Sequence, residues 1–88
     1  MTYTIEISHR ARKSIMRLPR DVRERMETAI DELASNPWPD GCTKLKGREN
    51  EWRIVVRKDY RVQYAVIDER LLIFVIDVGP RGSMYKKR

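Results

Sequence analysis

Residues Tyr3, Ile5 and Ile7 alternate with Thr2, Thr4, Glu6 and Ser8. This period of two predicts a strand with one face buried. The pattern then changes. Ala11, Ile15 and Leu18 recur at spacings of four and three, which places them on one face of a helix. Ser8 stands where a hydroxyl can accept from the free amides of the first helical turn. Pro19 interrupts this helix and suits the start of the next. Val22, Met26, Ala29, Ile30 and Leu33 form the apolar stripe of a second helix, with Arg23, Glu24, Glu27, Asp31 and Glu32 off the stripe. That helix should stop near Ser35-Asn36-Pro37, because the residue before a proline avoids the helical region. Residues 36–43, with two prolines and a glycine, predict a loop.

Three strands follow closely. Residues 52–56, 60–67 and 71–78 are rich in β-branched and aromatic side chains, separated by the polar turns Arg57-Lys58-Asp59 and Asp68-Glu69-Arg70. A three-residue first turn sets Val56 opposite Tyr60, Ile54 opposite Val62 and Trp52 opposite Tyr64, giving one coherent core face. Arg53, Val55, Arg61, Gln63 and Ala65 then share the other face. A two-residue turn would mix Arg53 and Arg57 with the aromatic residues, since a slip of one residue exchanges the faces. The last strand is apolar on both faces. It is expected to turn Leu72, Phe74, Ile76 and Val78 to the core and Leu71, Ile73 and Val75 away from it. The resulting class is α+β, in the order β-α-α-β-β-β. A two-helix hairpin packs on one face of a mostly antiparallel four-stranded sheet, as a single domain over residues 1–88.

Composition narrows what such a domain can do. Its 88 residues, 41% hydrophobic and 36% charged, bury a modest core but do not enclose a large cofactor. One cysteine, Cys42, excludes an internal disulfide, and one histidine, His9, excludes any site needing two imidazoles. The N-terminus lacks the apolar stretch of a signal peptide. The longest apolar run, Leu71 to Ile76, is far short of a membrane span. A soluble cytoplasmic protein with no membrane partner is expected. The net charge of +6 points to a polyanionic partner, with nucleic acid first.

The chain offers no phosphate-binding glycine loop, no metal-ligand cluster and no hydrolytic triad, so no cofactor or metal is expected. His9 reads as a solvated or packing histidine, Cys42 as an ordinary thiol and Trp38 as loop packing. The informative residues are arginines, which make up 13 of the 19 basic side chains. Arg53, Arg57, Arg61 and Arg81 lie in or beside the C-terminal sheet, with Lys44 and Lys46 just before it. A guanidinium grips phosphate bidentately and stays charged in almost any site. Tyr85 follows a segment with little core character, where it can pack the tail or stack on a base.

These residues also carry a resemblance. Lys44-Leu45-Lys46-Gly47, Trp52-Arg53-Ile54, Asp59-Tyr60-Arg61-Val62-Gln63-Tyr64 and Val78-Gly79-Pro80-Arg81-Gly82-Ser83-Met84-Tyr85, in an order of elements covering almost the whole chain, resemble the RelE/ParE toxin superfamily and its RelE branch. Leu18-Pro19 at the end of the first helix fits as well. The resemblance implies the RelE-like microbial ribonuclease fold and a toxin that cuts mRNA in the ribosomal A site without a metal. It also implies neutralisation by a cognate RelB-like antitoxin. Arg61 and Arg81 match the family's catalytic, phosphate-binding arginines, and Tyr85 its C-terminal tyrosine. Arg53 stands where some members have a catalytic lysine, and Arg57, Lys44 and Lys46 join it as expected RNA contacts. A second lysine position is Val55 here, and Pro80 replaces a histidine common among relatives. The superfamily therefore leaves two further readings open: a ParE-like gyrase inhibitor, and a catalytically weak RNA-binding relative.

Overall fold

A computed structural model describes residues 2–80. Five strands and two helices follow in the order β1 (Thr4–Ile7), α1 (His9–Met16), α2 (Arg20–Leu33), β2 (Thr43–Lys44), β3 (Glu51–Val56), β4 (Tyr60–Ile67) and β5 (Leu72–Pro80), with a short 3₁₀ turn at Asp68–Arg70. The sheet order is β1-β5-β4-β3-β2. β1 runs parallel to β5, and the other pairs are antiparallel. The α+β class and the helix hairpin are as expected. The fifth strand is the two-residue β2, too short to leave a periodic signal.

The core lies between the helices and one face of the sheet. Ala11 and Ile15 of α1, Met26, Ile30 and Leu33 of α2, and Ile54, Val56, Val62, Tyr64, Val66, Ile73, Val75 and Val78 of the strands form one buried cluster. Tyr3, Ile5, Ile7, Leu18 and Trp52 pack against it. The register of β3 and β4 is the expected one, with Val56 opposite Tyr60, Ile54 opposite Val62 and Trp52 opposite Tyr64. The turn has Arg57 and Lys58 at positive φ, 58° and 72°.

β5 corrects the expected facing. Ile73 and Val75 are fully buried, paired with Val66 and Tyr64 on the core side. Leu72 and Phe74, opposite Ile67 and Ala65, turn to the other face. A β-bulge causes the change. Tyr64 pairs with Val75 and Gln63 with Asp77, so Ile76 is the extra residue and Val78 returns to the core side. An extra residue reverses the alternation on one side of it. A run in which every residue is apolar gives no warning of it. Leu71 belongs to the preceding turn, with φ 51°, rather than to the strand.

The bulge also anchors the first helix. Ser8 accepts from the Ala11 amide at 2.9 Å, which caps α1, and its hydroxyl donates to the Ile76 carbonyl at 2.8 Å. The Ser8 amide donates to the Val75 carbonyl at 2.9 Å. One side chain thus satisfies a helix terminus and a carbonyl that the bulge removes from the ladder. At the other end of the core, the buried Tyr64 hydroxyl donates to the Pro37 carbonyl at 2.6 Å. This holds the loop after α2 against the sheet. Trp38 of that loop packs edge-on to Tyr3 and Trp52, the packing role expected for it.

Candidate functional site

The sheet face away from the helices divides into two halves. Ala65, Ile67, Leu72 and Phe74, all half-buried, share one half. Arg53, Val55, Arg61 and Gln63 share the other. Arg61 sits mid-strand in β4, flanked across the sheet by Val55 and by Gly79. Neither neighbour carries an acid. Arg61 is 7% exposed, the one charged residue in the buried set among the described residues. Arg53 opposes Gln63, one step along β3 on the same face and diagonal to Arg61. The two guanidinium-bearing positions are therefore neighbours, as the register implies.

Two carboxylates lie close to this row. Glu51 accepts from the Gln63 amide at 3.0 Å and from Arg48 at 3.4 Å. Asp77 accepts from the Val78 amide at 2.9 Å and pairs with Arg10 at 3.5 Å. These contacts place both carboxylates beside the ends of the row. Fixed cations held in a half-buried setting stabilise an anion more strongly than cations in bulk water.

Two other expected members of the constellation point elsewhere. Arg57 lies in the β3–β4 turn and pairs with Asp21 of α2 at 3.6 Å and with Asp59 at 3.8 Å. Lys44 opposes Trp52, which turns it to the helix side of the sheet. Its ammonium lies 5.9 Å from the centre of the Trp52 ring, within cation–π range. Lys46 is exposed in the loop after β2, beside Gly47 at φ 76°. Arg81 and Tyr85 lie outside the described residues, and β5 ends at Pro80, opposite Tyr60. Gln63 was not singled out from sequence. Its position on the Arg53–Arg61 face, two residues from Arg61, was the available signal.

Other titratable groups serve the scaffold. Burial first, and the neighbouring Cys42 thiol second, push the Tyr64 phenol well above its ordinary range. The Tyr3 phenol donates to Asp68, and that hydrogen bond raises its pKa. His9 is exposed at the start of α1, and Cys42 is a free, half-buried thiol. Among the described residues no group of His, Cys, Asp and Glu side chains could hold a metal ion. No helix there is long and apolar enough to cross a membrane.

Comparison with known proteins gives this geometry a family. Residues 5–85 match the model of the ParE toxin of type II toxin–antitoxin systems, parDE. The chain is 35% identical over 82 residues to the mRNA interferase toxin RelE of Escherichia coli K12, covering 92% of this chain and 85% of that protein. The toxin of the intact E. coli RelBE toxin–antitoxin complex superposes with a TM-score of 0.77 at 35% identity, over 88% of this chain and 94% of that one. The archaeal RelE–RelB complex of Pyrococcus horikoshii OT3 matches with a TM-score of 0.79 at 30% identity, over 94% of this chain and 99% of its counterpart. With two helices on a mostly antiparallel sheet and this extent of sequence identity, the chain belongs to the RelE/ParE toxin superfamily as a RelE-like toxin.

Proposed function

We propose that this protein is the toxin of a type II toxin–antitoxin pair and acts as a ribosome-dependent, metal-independent mRNA endoribonuclease. The observation that carries this reading is Arg61, a guanidinium 7% exposed in mid-strand with Arg53 diagonal to it. In the reaction the RNA 2′-oxygen attacks the adjacent phosphorus, the bond to the 5′-oxygen breaks, and a 2′,3′-cyclic phosphate results. The 2′-hydroxyl loses a proton and the leaving oxygen gains one. Arg61, Arg53 and Arg81 stabilise the added negative charge on the phosphoryl oxygens. A guanidinium offers only donors and no acceptor, so these groups serve as charge stabilisers rather than bases. Tyr85 orients the nucleotide by stacking. Arg57, Lys44 and Lys46 contribute attraction to RNA rather than chemistry: Arg57 is paired with Asp21 and Asp59, Lys44 lies against the Trp52 ring, and Lys46 is exposed in a loop. Val55 and Pro80 stand where relatives carry basic groups, so the ribosome supplies the in-line geometry, an effect worth several kcal/mol. The apolar half of the open face, Ala65, Ile67, Leu72 and Phe74, supports a RelB-like antitoxin as the partner that covers it.

A second reading rests on the matching family model, which describes a ParE toxin: inhibition of DNA gyrase through protein contacts alone. Primer extension on ribosome-bound mRNA, run beside a gyrase cleavage assay, separates the two. The proposal expects new 5′ ends within the A-site codon and no stabilised gyrase–DNA complex. Gyrase poisoning with intact mRNA would replace it.

A further inference from the structure

The outer edge of β3 is only partly covered. β2 pairs with Arg53 and Trp52 alone, and the Leu45 amide donates to the Glu51 carbonyl at 2.9 Å. Glu51 therefore directs its backbone toward β2. By the alternation of an antiparallel ladder Arg53 and Val55 do the same. Continued backward, β2 would place Gly41 opposite Val55. Gly41 instead takes φ 88°, and the chain leaves the edge there. The amide and carbonyl of Val55 thus face outward beyond the ladder, and its side chain is 48% exposed.

A cavity of about 370 Å³ opens at this point, bounded by Ala29, Leu33 and Ile54 as its apolar floor and by Glu32 and Asp40 at its rim. A second depression along α2 shares Ala29, Glu32 and Val55 and continues past Glu24, Asp21, Arg25 and Arg57, where acidic and basic side chains are mixed. Glu24 pairs with Arg20 and Asp21 with Arg57. Glu32 and Asp40 have no side-chain ion pair or hydrogen bond among the described residues. On a protein of net charge +6, the rim of the first cavity is locally acidic, with Glu32 and Asp40 and no lysine or arginine in its lining, on the helix side of the sheet and away from Arg61.

We propose that this edge receives an extended segment of a partner protein, added as a strand beside Val55. A lysine or arginine of that segment enters the cavity between Glu32 and Asp40. An open edge supplies main-chain donors and acceptors in a fixed direction, and a pocket for alternate side chains supplies selectivity. The charge of the rim selects a cation.

The test is an NMR titration of the full chain, followed by amide shifts. The probe is the peptide acetyl-Thr-Val-Lys-Val-Thr-amide, with a twin carrying glutamate in place of lysine. The lysine peptide should shift the Val55 amide and its neighbours Ile54 and Val56 in a saturable manner. The Glu32→Gln/Asp40→Asn variant, altered only at exposed positions, should bind about fivefold more weakly. Equal binding of both peptides, shifts centred on Arg53 and Arg61, or no shift at millimolar peptide would overturn the proposal. Concentration-dependent shifts of the same amides without peptide would do so too, by assigning the edge to a second copy of the chain.

Discussion

Arg61 and Tyr64 are three residues apart on one strand and face opposite ways, and their environments give them opposite tasks. Arg61 is a buried guanidinium on the face away from the helices, and Tyr64 is a phenol kept neutral in the core. The Tyr64 hydroxyl is buried and donates to Pro37, so its folded pKa is raised above the unfolded value of about 10. The sign follows from proton counting. Below pH 10 both states keep the proton and the contribution to stability is complete. Above it the unfolded chain releases the proton first, and stability falls by about 1.4 kcal/mol per pH unit. Thermal melts between pH 9 and 11 should show this loss in the wild type and a shallower one in Tyr64→Phe. That variant should also be about 1 kcal/mol less stable at neutral pH, through the lost hydrogen bond.

At the scale of elements, the β3–β4 hairpin was readable because one turn length alone gives a coherent apolar face, and the observed register follows it. That reading placed Arg53 and Arg61 together. The destinations of Arg57 and Lys44 were not readable, because Asp21 and Trp52 reach them only after α2 and β2 have docked. The facing of β5 failed for a different reason. Six consecutive apolar residues, Leu71 to Ile76, carry no alternation, and the bulge at Ile76 is set by its partner strand and by Ser8. The acidic groove at Val55 likewise depends on how α2 lies along β3. The hairpin turn makes its own test. Lys58 holds φ 72°, a conformation that costs an L-residue about 1–2 kcal/mol. Lys58→Gly relieves that cost, offset in part by the greater freedom of the unfolded chain, so chemical denaturation should show a gain of up to about 1 kcal/mol. A loss would mean that the Lys58 side chain makes a stabilising contact.

The whole molecule separates its charges in space. The net charge of +6 favours a polyanionic partner, the arginine row lies on the sheet face away from the helices, and the acidic rim of Glu32 and Asp40 lies beside α2. Affinity for RNA or ribosomes should fall with salt, each phosphate contact adding roughly 0.7 to 0.9 to the log–log slope. Affinity unchanged between low and physiological salt would remove the electrostatic basis of the interface. The central claim is that Arg61 stabilises the charge developed as the RNA backbone is cut. Its most direct test is the single-turnover rate of ribosome-bound mRNA cleavage by Arg61→Ala and Arg61→Lys, with thermal melts verifying that each is folded. The account expects Arg61→Ala to be slower by about 10²-fold or more. Arg61→Lys should recover only part of the loss, because an ammonium cannot make the bidentate contact. A folded Arg61→Ala protein that cuts at the wild-type rate would contradict the account.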